Sequence, residues 1–293
     1  MNQIIEDIKV VLDRNVELNS ERFFLNNGTS ILSTDDANNL NYLQNCFIPK
    51  QEWRKVNSIE LEQLTTSIDD LQSNWDLGRH IGIIRIPEYL IQPLREIIST
   101  INIDLSQSRG DISKVTLNPN YQCAIEAIRT HIQQYTLMTN DEIKTLGIHC
   151  AKPQLITTTV NTVQYLPHCP YVGLHLDSWE NSPLKRRHLS SNRICINIGQ
   201  ENRYFLMINL SLMKIFHLLG LSTINDISKH YRGVKLPSEF MQHFPTYPVI
   251  KLTLSPNEAY IAPTENIIHD SSTLDKHELD FSLTFLGKFG LLH

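Results

Sequence analysis

The 293-residue chain has no long apolar run, no paired-cysteine motif and no excess of positive charge, and each absence closes off a class of protein. Its most apolar stretch, residues 204–221, is interrupted by Asn209, Lys214 and His217. It reads as a strand followed by a helix, because a membrane span needs about 20 consecutive apolar residues. The five cysteines, Cys46, Cys123, Cys150, Cys169 and Cys195, are scattered, odd in number and without a C-x-x-C pair. They indicate neither a disulfide framework nor a thiolate zinc site, and a reducing compartment is expected. The N-terminal residues carry acids early and lack an apolar signal core, which makes a cytoplasmic location the expectation. With 26 basic against 31 acidic residues the formal charge is −5. That leaves no overall basic field for phosphate backbones, so neither nucleic acid nor a membrane is expected as a partner.

What is there begins polar and helix-leaning. Ile4, Ile5, Ile8, Val11 and Leu12 recur at helical spacing, and Leu61, Leu64, Ile68 and Leu71 repeat the pattern. Residues 1–80 are therefore expected as a helical region packed on a core formed by 81–293. Residues 81–86 read as a short apolar strand stopped by Pro87, with helices following at 88–100 and 121–136 and a capped start for another at Thr139. From Pro153 the texture becomes β, beginning with the β-branched run 155–165. Residues 193–198 alternate, with Ile194, Ile196 and Ile198 on one face and Arg193, Cys195 and Asn197 on the other. Strands are expected at 203–209, 249–254, 258–262 and 279–287, around a helical insert at 210–247. There is no internal repeat. Helices first, then strands around one insert, give an α+β class with a helix-buttressed sandwich or jelly roll.

The sharpest chemical signal is His175-Leu176-Asp177. Residues i and i+2 of an extended segment point to the same side, so an imidazole and a carboxylate face one point in space. That is two-thirds of a facial triad of two histidines and one carboxylate, which holds Fe(II) and leaves coordination positions open. The third ligand has to come from a distant strand. His269, 94 residues on, follows a turn, a short strand, the proline stop Pro263 and a loop. The competing reading is a surface pair and a loop histidine capping a carbonyl.

These two passages together resemble the iron(II)/2-oxoglutarate dioxygenases, whose double-stranded β-helix carries H-x-D on an early strand and a second His before a late one. The resemblance covers about residues 155–287 and implies His175, Asp177 and His269 as the iron ligands. It also implies Fe(II), 2-oxoglutarate and O2 as the reactants, a ferryl-oxo species, and hydroxylation of an amino-acid, peptidyl (including carrier-bound) or natural-product substrate. A carboxylate at 177 sets the chain apart from the halogenase branch. The chain departs from the family at the co-substrate anchor: where an R-x-S pattern is usual, it has Asp280-Phe281-Ser282. An acid there calls for a compensating cation. Arg193 is the first candidate anchor and Arg203 the second, since a guanidinium grips a carboxylate through two parallel hydrogen bonds; Asp280 pairing with Arg193 is the other arrangement. Ser282 and Tyr165 are candidate hydrogen-bond donors to the co-substrate, or simple packing residues. Trp179 is a candidate cavity wall, and Lys185-Arg186-Arg187-His188 is either a solvated face or a lid. Two other classes stay open, a cupin-like metalloenzyme using the triad without 2-oxoglutarate and a non-catalytic jelly-roll binding protein.

Overall fold

The structure, a computed structural model, describes residues 3–18, 21–71, 74–101, 112–138, 141–161 and 169–291. Within them run the strands β1 (Lys9–Leu12), β2 (Phe23–Leu25), β3 (Thr29–Ile31), β4 (Phe47–Pro49), β5 (Arg54–Lys55), β6 (Thr65–Thr66) and β7 (His80–Arg85). The later strands are β8 (Lys144–Ala151), β9 (Asn192–Asn197), β10 (Arg203–Ser211), β11 (Ile250–Leu254), β12 (Glu258–Ala262), β13 (Ile267–Ser272) and β14 (Asp280–Gly287). Seven of them form one sheet in the order β6-β1-β7-β12-β9-β14-β8, and five form a second in the order β13-β10-β11-β2-β5.

The two sheets share an inner core. Ile81, Ile83, Cys195, Tyr260 and Ala262 of the larger pack with Phe205, Met207, Ile250 and Leu252 of the smaller. The alternate residues of the larger sheet, Ile194, Ile196, Ala259, Ile261, Leu283 and Phe285, face the other way, onto the helices Glu88–Ser99 and Tyr121–Ile132. The outer face of the smaller sheet, at Leu206 and Ile208, is covered by Leu212–Leu218 and Leu236–His243, which belong to the expected helical insert. Both faces of β9, β12 and β14 are therefore buried, and apolar residues on the helix side alternate with Arg193, Cys195, Ser282 and Thr284 toward the other sheet. Polar residues are concentrated on a surface that packing alone would make apolar.

Two expectations are corrected, and a third falls outside the described residues. The helical spacing at 4–12 gives way to strand β1, whose Val10 and Val11 are fully buried on opposite faces and pair in parallel with Ile81 and Gly82 of β7. β-Branched neighbours with a sheet edge beside them favour the ladder over a helix, and the helices that cover the large sheet come from residues 88–132. The run 155–161 is irregular, with only a bridge from Val160 to Tyr171; its continuation, including Tyr165, lies outside the described residues. The expected helix start at Thr139 and Asn140 lies outside them too, and residues 144–151 just beyond form β8, paired to β14. Among the described residues no helix is long and apolar enough to cross a membrane.

Candidate metal centre

β13 carries His269, and the segment holding His175 runs antiparallel beside it. His175 N donates to His269 O at 3.1 Å and His269 N to His175 O at 2.9 Å. This two-bond pair sets the imidazoles side by side, with ring centroids 4.7 Å apart. Asp177 follows two residues later, its N–H bonded to Thr264 O at 3.1 Å. The approach is fixed by Gly173, which has φ +73° and where a Cβ would lie 2.4 Å from Phe47 O. Only glycine fits both constraints comfortably.

One ligand-type atom from each of His175, Asp177 and His269 lies within 4.8 Å of the others. The Nδ1 atoms of both histidines face backbone carbonyls, Gly173 O at 2.9 Å and Ile267 O at 3.2 Å. A carbonyl only accepts, so each Nδ1 is the donor and each Nε2 is left to a metal. The two Nε2 atoms lie 3.7 Å from Asp177 Oδ1 and Oδ2 respectively. Asp177 Oδ2 is buried and ion-paired with Arg193 Nη2 at 2.7 Å, which leaves Oδ1 as its oxygen without a guanidinium partner. Two imidazole nitrogens and a carboxylate oxygen on one side are a donor set that fits a six-coordinate Fe(II)-type ion with open positions.

The electrostatics are set by neighbours as much as by burial. Burial disfavours protonation of His175, but Asp177 on one side and Asp270 on the other outweigh it and push its pKa up to about 10. Asp270 Oδ2 lies 3.4 Å from His175 Nδ1. Burial pushes His269 down to about 4, with His175 and Arg193 adding to the fall and Asp177 opposing it. Burial would raise the Asp177 carboxyl, yet the Arg193 guanidinium at 2.7 Å holds it well below the usual carboxylate range. Without metal, His175 thus carries a second ring proton, on Nε2, and a metal has to displace it.

The two candidate anchors occupy different places. Arg193 is spent on Asp177, and its guanidinium carbon sits 5.6 Å from the ring centroid of Trp179, which is 53% exposed at the rim. Arg203 instead forms a buried ion pair with Asp280 and donates to Ser271 Oγ at 3.0 Å. Lys276 Nζ bonds the other oxygen of Asp280 at 2.9 Å. The expected pairing of Asp280 with Arg193 is corrected: the acid is held by Arg203 and Lys276, and the cluster carries net charge +1. Ser282 is buried on β14, between Asn197 of β9 and His149 of β8.

The basic run is also corrected in part. Lys185, Arg186 and His188 are exposed, but Arg187 is 1% exposed and clamps the loop: it donates to Asp177 O at 2.8 Å and Ser178 Oγ at 3.0 Å and pairs with Glu265 at 3.2 Å. Sequence reasoning missed Glu265, Asp270, Ser271 and Lys276. Asp270 directly follows His269 and Lys276 stands four residues before Asp280, which are the only signals the chain offered.

No family model matches the chain, and no curated protein does. The solved structures it matches include iron(II)/α-ketoglutarate-dependent dioxygenases. The Kdo hydroxylase KdoO in complex with cobalt(II) is 13% identical with a TM-score of 0.42, over 75% of this chain and 84% of that one. KdoO with α-ketoglutarate and Fe(III) is 12% identical with a TM-score of 0.41, over 75% and 83%. The endoperoxidase NvfI is 10% identical with a TM-score of 0.34, over 93% and 100%. These likenesses are distant, and the functional reading rests on the chain's own residues.

Proposed function

We propose that the chain is an iron(II)- and 2-oxoglutarate-dependent oxygenase, built on a double-stranded β-helix, that hydroxylates an amino-acid, peptidyl or other small-molecule substrate. The observation that carries this reading is the convergence of His175 Nε2, His269 Nε2 and the Asp177 carboxylate, with both Nδ1 atoms engaged by carbonyls. These three side chains would hold the iron. Iron and 2-oxoglutarate bound there would let O2 serve as the oxidant for an unactivated C–H bond, with 2-oxoglutarate giving up two of the four electrons that O2 takes.

The protein's own contribution is positioning. Arg193 takes one carboxylate oxygen of Asp177 and fixes its orientation, and Arg187 fixes the backbone beneath it. Asp270, at the back of His175, supports that imidazole as a ligand. Ser271 lies two residues beyond His269 on β13, so Arg203 stands about 6–7 Å further along the strand. The interior therefore offers two separate cationic points, one beside Asp177 and one at Arg203 and Lys276, which suits a ligand with two carboxylates. On this reading Arg203 is the anchor, Lys276 satisfies Asp280 when Arg203 turns to the co-substrate, and Trp179 stands at the substrate side.

The test is an anaerobic titration of metal-free protein with Fe(II) and then 2-oxoglutarate, following the visible charge-transfer band of the chelate. A band that disappears in His175→Ala and weakens in Arg203→Met supports the assignment. Iron uptake with no band supports instead a triad metalloenzyme without 2-oxoglutarate, a second reading favoured by Arg203 being already paired with Asp280. No iron uptake contradicts both.

A further inference from the structure

Lys251 lies mid-strand in β11, between Ile250 and Leu252 of the inner core, so its side chain points to the opposite, outer face of the smaller sheet. The residue is 9% exposed. Its ammonium nitrogen stands 5.2 Å from the ring centroid of Phe24, 4.8 Å from that of Trp53 and 5.0 Å from that of Tyr204. Phe24 is its direct partner across the β11–β2 ladder, so the cage is built into the sheet register. The remaining side opens on a cavity of about 420 Å³. Asn202, Thr253 and Ser255 add polar lining, Arg22 and Lys55 positive charge, and Glu21 and Asp275 negative charge.

Arg22 is bound to Glu258 at 2.7 Å and Lys55 to Glu21 at 2.5 Å, so neither is free to take an anion. The Lys251 ammonium makes no hydrogen bond and no ion pair with the described residues; its close partners among them are ring faces. Burial pushes its pKa down, and Asp275 across the cavity offsets this only in part. A lysine buried along its stem, with its ammonium facing the cavity and no counter-charge in contact, is completed there by an anion or ordered water. The cavity also adjoins β10 at Tyr204, at the end of that strand away from Met207, which pairs with His269.

We propose that this cavity is a binding site for a small organic oxyanion, a carboxylate or phosphate monoester on a flat apolar body, separate from the metal centre. The oxyanion would accept from Lys251 while the body lies against Phe24 and Tyr204. The edge of the aromatic cage then becomes a wall shared by lysine and ligand.

Calorimetric titration of the full-length, metal-free protein with phenyl phosphate, benzoate and neutral benzamide tests this. One saturable site is expected for at least one of the two anions and none for benzamide, and the preferred anion tells which source of the oxyanion the site accepts. Lys251→Met, which keeps the stem against the rings, is expected to weaken binding by about tenfold or more. No saturable binding of either anion, or binding within twofold of wild type in Lys251→Met, overturns the proposal. Benzamide binding as tightly as benzoate overturns it as well, and that comparison needs only the wild-type chain.

Discussion

Replacing Asp280 by asparagine separates stability from co-substrate binding at the deep end of the interior. Asp280 is 1% exposed, and its two oxygens are taken by Arg203, 8% exposed, and Lys276, 2% exposed. The amide keeps the shape and one acceptor oxygen but removes the charge and turns a donor toward a cation, which leaves two buried cations without a counter-charge beside Ser271 Oγ and Asn202 O. Removing one partner of a buried pair costs about 3–5 kcal/mol. For a chain of this size each kcal/mol is worth about 2–4 °C, so melting should fall by roughly 6–20 °C. Binding should move the other way. Arg203 is released from its competitor, the cluster gains a unit of positive charge, and 2-oxoglutarate should bind the metal-loaded variant more tightly than wild type. At a hundredfold excess over its dissociation constant the ligand returns about 2.7 kcal/mol, so the 2-oxoglutarate-induced rise in melting temperature should be larger in the variant. Anaerobic thermal melts of both proteins, with and without 2-oxoglutarate, read out both effects. A stability loss under about 1 kcal/mol would refute the buried cluster. A smaller ligand-induced rise than in wild type would refute Arg203 as the anchor.

Arg187→Met breaks a pair whose side chains are 0% and 1% exposed, and it should lower stability by about 3–5 kcal/mol in urea. Because Arg187 also holds Asp177 O, Co(II) affinity should fall about 10–100-fold, and an unchanged affinity would show that the clamp does not support the site. Gly173→Ala forces a Cβ into Phe47 O at φ +73°, so a loss of about 1–3 kcal/mol together with weakened Co(II) binding is expected; a variant as stable as wild type would contradict the described turn. The raised His175 pKa sets a pH window. Its folded value of about 10 lies above the ordinary 6.5, so its contribution to the metal-free protein is fully present below pH 6.5 and lost as pH rises through 10. Metal affinity should climb over the same interval, by up to about tenfold per pH unit for the single displaced proton, and a pH-independent affinity would contradict that protonation state.

The sequence was most legible where period and chemistry coincide. Alternation at 193–198 and the segments at 203–209, 249–254, 258–262 and 279–287 were readable because at least one face of each strand is packed, against helices or against the other sheet, and needs Ile, Leu or Phe. His175, Asp177 and His269 were readable because an i, i+2 pair and a post-strand histidine are short patterns. β1 was not, since Val10 and Val11 satisfy a helical period equally well until β7 lies beside them. Nor was the pairing pattern of the cations. Arg193 and Arg203 are both inward strand arginines, and only the three-dimensional register decides that Asp177 claims one and Asp280 the other. The Arg187–Glu265 clamp spans 78 residues and has no local signature.

Equilibrium dialysis against Fe(II) under anaerobic conditions tests the metal centre most directly. The account predicts one tightly held iron per wild-type chain and loss of tight binding in each of His175→Ala, Asp177→Ala and His269→Ala, with each variant still folded. Iron retained by any of the three, or no stoichiometric iron in the wild type, would contradict it.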